Sequence, residues 1–267
     1  MDILTFLILF FVGGGIGFLA GFFGVGGGVI LVPVLIFLFE HQGANNSIVT
    51  QLAMGTSLLI VTFASMSSAA KHTHQKNVYW RAVLIMGLAS VVTASLGSVA
   101  AAAVSGVLLR KIFAVAVLAS GLRLLFEKTK QESAGEFNPQ AWKFILIGSV
   151  VGLLSSLTGV GGGLVSIPLM YYLLHFPIKR AIGTSSATII ITAGAAVTGY
   201  IVNGFGNPYL PAHTLGYVDY VQAIPLIIGT VAVGPLGAAT VHKTHSVMLR
   251  RFFAVFLTVN ALYMFLK

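Results

Sequence analysis

Two glycine-rich stretches are the part of this sequence best suited to chemistry. Gly24–Gly28 reads GVGGG and precedes an apolar run, and Gly159–Gly163 repeats the same five letters before a second apolar run. Consecutive glycines form helix poorly, so we expect unwound backbone at both places. A helix that begins just after such a break points its free N–H groups and its positive dipole end at the break, which favours an anion. The glycines predicted to bind are Gly24, Gly26, Gly27, Gly28, Gly159, Gly161, Gly162 and Gly163.

Hydroxyl side chains follow a further glycine in each half of the chain. The residues are Thr56 and Ser57 after Gly55, and Thr184 and Ser185 after Gly183. A hydroxyl can donate to an anion in a dry site, but in membrane helices it also bonds to the preceding turn or to a neighbouring helix. Both roles stay open, and we include Thr56, Ser57, Thr184 and Ser185 among the predicted substrate-binding residues.

Motifs for catalysis, metal binding or nucleotide binding are missing from the sequence. It has no H-E-x-x-H motif, nucleophile elbow or carboxylate pair, and GVGGG is not a G-x-G-x-x-G fingerprint. The sequence therefore predicts no catalytic residues, no metal site and no cofactor, and favours a protein that is not an enzyme.

The amino-acid composition indicates that these residues are held by helices that cross a membrane. With 57% hydrophobic residues, 8% charged residues and a mean hydropathy of +0.97, the chain has too little polar surface for a soluble globule. The apolar runs are long enough for helices that cross a core of about 30 Å, and they lack the alternation of a membrane β-barrel. The fold class is therefore an all-α polytopic membrane protein.

The chain divides into two halves. Ten apolar segments can be counted, five on each side of a polar linker, which gives a first repeat at 1–127, a linker at 128–140 and a second repeat at 141–267 within one membrane domain. After the glycine runs, the second and seventh segments are only 11 and 12 residues long, Val29 to Phe39 and Leu164 to His175. At about 1.5 Å per residue, each crosses roughly half of the membrane core.

The two halves are related in sequence, and charge predicts that they are inverted. Matches recur at three places, the GVGGG runs, the GTS triplets and a Leu-Gly pair followed by Leu-Arg, which indicates a duplication. Five segments per half would insert the second copy upside down. With a cytoplasmic linker, 12 of the 15 lysines and arginines fall on the cytoplasmic side. The count leaves open whether segments one-two and six-seven cross fully or form re-entrant hairpins.

Other residues have simpler interpretations. Gly13, Gly17 and Gly21 are spaced by four, which is typical of close helix packing rather than of a site. Packing is also the alternative for the GVGGG runs, although consecutive glycines exceed what packing requires.

The paired GVGGG-x-x-x-x-P stretches, Gly24 to Pro33 and Gly159 to Pro168, with the triplets Gly55 to Ser57 and Gly183 to Ser185, resemble the TauE/SafE family of sulfite exporters. The resemblance covers essentially the whole chain. It implies transport of sulfur-containing anions, such as sulfite or organosulfonates, across the bacterial plasma membrane.

The leading hypothesis is therefore a secondary anion transporter, with export as the direction that the resemblance implies. Its expected partners are a small anion and the lipid bilayer, with no nucleic acid, while a homo-oligomer stays open. The alternatives are a membrane scaffold or assembly factor that transports nothing, and, with least support, an intramembrane enzyme. Continuous helices through the glycine runs would favour the scaffold.

Overall fold

A computed structural model describes residues 2–23, 26–126, 140–240, 255, 258–259 and 261–265. Apolar runs bounded by glycine, proline and polar residues form nine helices in the described residues up to 240. They are α1 (Ile3–Phe23), α2 (Gly28–His41), α3 (Val49–His74), α4 (Trp80–Ala103), α5 (Gly106–Phe126), α6 (Ala141–Thr158), α7 (Gly163–Leu174), α8 (Ile178–Gly204) and α9 (Tyr220–Thr240). The linker interior and most of the tenth segment lie outside the described residues.

The helix lengths confirm an all-α polytopic membrane protein. Within the described residues, six helices (α1, α3, α4, α6, α8 and α9) are long and apolar enough to cross a bilayer. By contrast, α2 has 14 residues and α7 has 12, or about 21 and 18 Å of helix. Neither short helix reaches across a core of about 30 Å.

The two halves of the chain interlock. The helix α1 packs along α9 from the other half, and α4 packs along α6 in the same way. A Cβ on Gly13 would lie 2.5 Å from the backbone oxygen of Leu226 on α9, and one on its sequence counterpart Gly148 would collide with the backbone of Met86 on α4. These contacts show that Gly13 and its counterparts serve close helix packing, as their spacing predicts. Corresponding glycines make corresponding contacts, as duplication would require, while the inverted orientation of the halves stays a prediction.

The long helices α3 and α8 pack together. In addition, α3 packs against α9, and α8 packs against α4. They place the GTS triplets where two backbones come close, since a Cβ on Gly55 would collide with the backbone of Tyr217, and one on Gly183 with that of Asn77. Only glycine leaves room for these approaches. The triplets therefore fix α3 and α8 against the segments that lead into α9 and α4.

Candidate functional site

In each glycine run, the residue before the last glycine is left-handed and caps a short helix. Gly27 has φ 76° and is the N-cap of α2, and Gly162 has φ 86° and is the N-cap of α7. Left-handed backbone suits glycine because a Cβ would be strained there. The helix path is therefore interrupted at both runs, as predicted from the sequence. Gly24 and Val25 lie outside the described residues.

The two interruptions meet each other. A Cβ on Gly28 would lie 2.5 Å from the Cα of Val160 and 2.9 Å from the carbonyl oxygen of Gly159. Gly26 and Gly161 both face the side chains of Val61 and Ile189. The structure thus brings the described glycines of the first run against the second run.

The meeting point lies halfway along the long helices. Val61 is the thirteenth of the 26 residues of α3, and Ile189 is the twelfth of the 27 residues of α8. Both helices are long enough to span a bilayer. The short helices therefore begin near mid-depth of the bundle, which favours partial crossings by α2 and α7 over complete ones.

Each short helix begins with backbone donors that have no acceptor in the described part of the chain. Neither N-cap supplies a side-chain hydrogen bond, and the earliest backbone bonds are from Ile30 to Gly27 and from Val165 to Gly162. The N–H groups of the preceding residues, Gly28 and Gly163 among them, are left over. A buried N–H group without an acceptor costs free energy, which an anion would recover.

The predicted threonines contact backbone of the opposite half. The Thr56 hydroxyl accepts a hydrogen bond from the N–H of Asp219 at 2.9 Å, and the Thr184 hydroxyl accepts one from the N–H of Tyr79 at 3.0 Å. Asp219 and Tyr79 immediately precede α9 and α4. Both threonines are buried and hold the start of a helix from the other half.

Asp219 is itself engaged by the start of α9. Its carboxylate accepts a hydrogen bond from the N–H of Gln222, so it caps this helix. Burial raises the pKa of Asp219, and this outweighs the backbone hydrogen bonds and the nearby His213, which lower it.

The predicted serines contact the short helices and their glycine runs. The Ser57 hydroxyl donates to the carbonyl oxygen of Gly159 at 2.8 Å, and the Ser185 hydroxyl lies 2.6 Å from the hydroxyl of Ser166 on α7. Both serines are fully buried. Ser57 therefore joins the first half of the chain to the glycine run of the second.

Replacing Ser57 by alanine removes the donor to a buried carbonyl. We expect S57A to lower the free energy of unfolding by about 1–3 kcal/mol, because the Gly159 oxygen loses its partner. Thermal unfolding of the purified protein in detergent measures this. The matched control is Ser120→Ala, since among the described residues the Ser120 hydroxyl bonds only to the preceding turn of its own helix, at Ala116. Equal melting temperatures for the two variants would show that the Ser57 contact contributes nothing.

A small cavity opens beside the first glycine run. Its volume is about 20 Å³, which is room for about one water molecule, and it is lined by residues of α1, α3, α8 and α9 together with Gly26. The hydroxyl-bearing residues in its wall are Ser65, Ser68, Ser186 and Thr230. Along α3, the cavity extends from the middle of the helix toward the end that carries Lys71 and His72. It therefore lies in the half of the bundle nearer to these basic residues.

Buried side chains of α8 lie on the other side of the glycine runs. Ala193 and Ala196 on α8 are fully buried, as is Tyr200. The Tyr200 hydroxyl donates to the carbonyl oxygen of Ser156 at 2.8 Å, and its ring packs edge-on against Tyr217. Buried side chains therefore lie on the Tyr200 side of the glycine runs, and Gly26 adjoins the cavity on the opposite side.

Sequence reasoning missed the lining of this cavity. Among the predicted site residues, only Gly26 lines it. The available signal was the pair Ser65 and Ser68, two hydroxyls three residues apart in an apolar helix. That spacing places both on one face of α3, but the sequence does not say what the face meets.

Comparison with known proteins identifies a family of membrane transporters. A family model described as "Sulfite exporter TauE/SafE" matches residues 9–264. A probable membrane transporter protein of Haemophilus influenzae is 31% identical over 98% of this chain and 99% of its own length. Similar proteins of the same description occur in Methanocaldococcus jannaschii, 29% identical over 97% and 95% of the two chains, and in Bacillus subtilis, 27% identical over 97% and 98%. No solved structure matches the chain.

Proposed function

The chain belongs to the sulfite exporter TauE/SafE family of membrane transporters, and from this premise we propose that it exports small sulfur-containing anions such as sulfite or organosulfonates. We propose further that it is a secondary transporter of the bacterial plasma membrane. The glycine runs, with the N-termini of α2 and α7, form the substrate site.

One observation carries this proposal. Two helices without side-chain caps begin beside each other near mid-depth of the bundle. Their dipoles, and N–H groups that have no acceptor among the described residues, supply partial positive charge near mid-depth, so an anion there does not need a lysine or arginine beside it. Discontinuous helices that meet near the midplane are typical of substrate sites in secondary transporters.

Dipoles rather than cations suit the task of a transporter. An anion that is paired with buried arginine is held strongly and released slowly, whereas N–H groups and hydroxyls bind it more weakly. Conduction and transport both need a site that the substrate can leave. A site built from the glycine runs therefore suits repeated binding and release of the anion better than tight retention of it.

The non-transporting scaffold is less well supported. Continuous helices through the glycine runs were its expectation, and both short helices instead begin at left-handed glycines. Membership in a transporter family also argues against the intramembrane enzyme.

The proposal is tested by flux across a reconstituted membrane. Liposomes that contain the purified protein should take up radiolabelled sulfite faster than empty liposomes do. Unlabelled inorganic anions and organosulfonates should reduce this uptake, and those that bind more tightly should reduce it more. Uptake equal to that of empty liposomes for every anion would overturn the proposal. A stable protein partner retained in gentle detergent, together with zero flux, would favour the scaffold.

A further inference from the structure

The two short helices begin alike, but a different side chain lies beside each N-cap. Both caps, Gly27 and Gly162, are left-handed. A Cβ on Gly27 would lie 3.1 Å from the Cβ of Ala20, and one on Gly162 would lie 3.5 Å from the Cβ of Ser155. Ala20 and Ser155 each precede their N-cap by seven residues. The second half therefore carries a hydroxyl where the first half has only a methyl group.

The same difference recurs in the first turn of each short helix. Ser166 is the fourth residue of α7, and its hydroxyl lies 2.6 Å from that of Ser185 on α8. The fourth residue of α2 is Leu31, which is fully buried in the apolar core. At both corresponding positions, the second half has a hydroxyl and the first half an apolar side chain.

The Ser155 hydroxyl is buried and has no hydrogen-bond partner among the described residues. A serine in a membrane helix commonly donates to a carbonyl oxygen of the preceding turn. The next residue, Ser156, does so, since its hydroxyl donates to the carbonyl oxygens of Gly152 and Leu153. A buried hydroxyl without a partner costs free energy, and a ligand that accepts its proton would recover this cost.

Glycine at the N-cap brings this hydroxyl close to the start of α7. A Cβ on Gly162 would lie 2.5 Å from Cγ1 of Val151, which is one turn before Ser155 on α6. The cap backbone therefore rests on the face of α6 that carries Ser155, with no side chain between them. The N–H groups of Gly163 and Leu164 follow directly, and no acceptor for them lies in the described part of the chain.

The groups that meet at this place are all hydrogen-bond donors. A serine hydroxyl can donate one proton, each backbone N–H group donates one, and the helix dipole adds partial positive charge. Donors that converge in this way without an acceptor bind an oxyanion better than a cation or an apolar molecule. The start of α2 has the dipole and the N–H groups, but Ala20 supplies no donor beside its cap.

We propose that the substrate anion binds asymmetrically, at the start of α7, with the Ser155 hydroxyl as its side-chain donor. This rests on the proposed function and identifies a binding residue for it. The start of α7 touches α6 in this conformation, so the anion takes its place as the N-cap moves away from Val151. The start of α2 contributes its dipole to the same anion.

The test compares sulfite uptake by wild-type and Ser155→Ala protein in proteoliposomes. Loss of a hydrogen bond to a charged ligand should raise the KM for sulfite about tenfold, with little change in the maximal rate. Ser156→Ala is the matched control, because Ser156 is equally buried and its hydroxyl bonds, among the described residues, only to its own helix. This control should keep the KM of the wild type.

Thermal unfolding separates contact with the anion from packing. Without anion, Ser155→Ala should melt at the temperature of the wild type or above it, because alanine removes an unpaired buried hydroxyl. Sulfite should raise the melting temperature of the wild type, and at the same concentration it should raise that of Ser155→Ala much less. A lower melting temperature without anion, together with an equal shift by sulfite, would assign Ser155 to packing and overturn the proposal.

Ala20→Ser tests the asymmetry, because it places a hydroxyl at the corresponding position beside the N-cap of α2. If the anion lies at the start of α7, the new hydroxyl should not lower the KM. A KM below that of the wild type would show that the anion binds at the start of α2 as well, and would overturn the asymmetric placement.

The outcomes separate this proposal from the proposed function. An unchanged KM in a folded Ser155→Ala variant, while the wild type transports sulfite, would remove Ser155 from the site and leave the transport function intact. A wild type that moves no anion would overturn the function itself. Gel filtration of each variant establishes that it is folded.

Discussion

Gly28→Ala should abolish anion transport, because the new methyl group has no space at the point where the glycine runs meet. The Cβ would lie 2.5 Å from the Cα and 2.8 Å from the carbonyl oxygen of Val160. Both are backbone atoms, so no side chain can rotate away. The second glycine run would have to move, at a cost of about 1–3 kcal/mol, and the two helix N-termini would separate.

The measurement is sulfite flux in proteoliposomes, with Gly194→Ala as the matched control. Gly194 lies in the interior of α8, and a Cβ there would have no atom within 4 Å. Alanine is also the better helix former, so this control should keep full transport and a slightly higher melting temperature. Because Gly28→Ala is expected to remain folded, gel filtration of both variants is part of the experiment.

Gly26→Ala distinguishes crowding from backbone strain at the same place. Its Cβ would make ordinary contacts, the nearest at 3.4 Å from Val61, but its φ of 82° is strained for any other residue. We expect a partial loss of transport that is smaller than for Gly28→Ala. Full transport by Gly28→Ala would contradict the assignment of the site to the meeting of the two runs.

The helices themselves were predictable from the sequence because hydrophobic run length sets where a membrane helix starts and ends. The predicted segments 3–23 and 141–157 correspond closely to α1 and α6. The breaks were predictable for the same local reason, since consecutive glycines disfavour helix whatever surrounds them.

Contacts between the two halves could not be predicted from the sequence, because they depend on how distant segments pack. Thr56 and Thr184 follow glycines in related triplets, but only the fold shows that each binds the backbone at the start of a helix from the other half. Ser65 is similar, because its position in the sequence does not show that its side chain lines a cavity between helices of both halves. The sequence specified which residues could act as donors, whereas the tertiary structure determines which donors are still available.

A second large effect, on the stability of the protein, is expected from a substitution where α1 packs against α9. Gly13→Leu should strongly destabilise the protein, because its side chain would have to enter the backbone of Leu226, whose oxygen lies 2.5 Å from the position of the Cβ. Gly15 is two residues away on the same helix, and a Cβ there would meet nothing within 4 Å. Gly15→Leu should therefore be neutral or slightly stabilising, since leucine is the better helix former.

The expected cost of Gly13→Leu is about 3 kcal/mol, at the upper end for overpacking, because backbone rather than a side chain must give way. Thermal unfolding in detergent should show a melting temperature several degrees lower for Gly13→Leu than for Gly15→Leu. Gly148→Leu extends the comparison to the second half, where the same collision occurs between α6 and the backbone of Met86 on α4. If both halves use glycine to interlock, this variant should be destabilised to a similar degree. Loss at Gly13 without loss at Gly148 would show that the two interlocking pairs contribute unequally, and equal stability of Gly13→Leu and Gly15→Leu would contradict the close packing of α1 on α9.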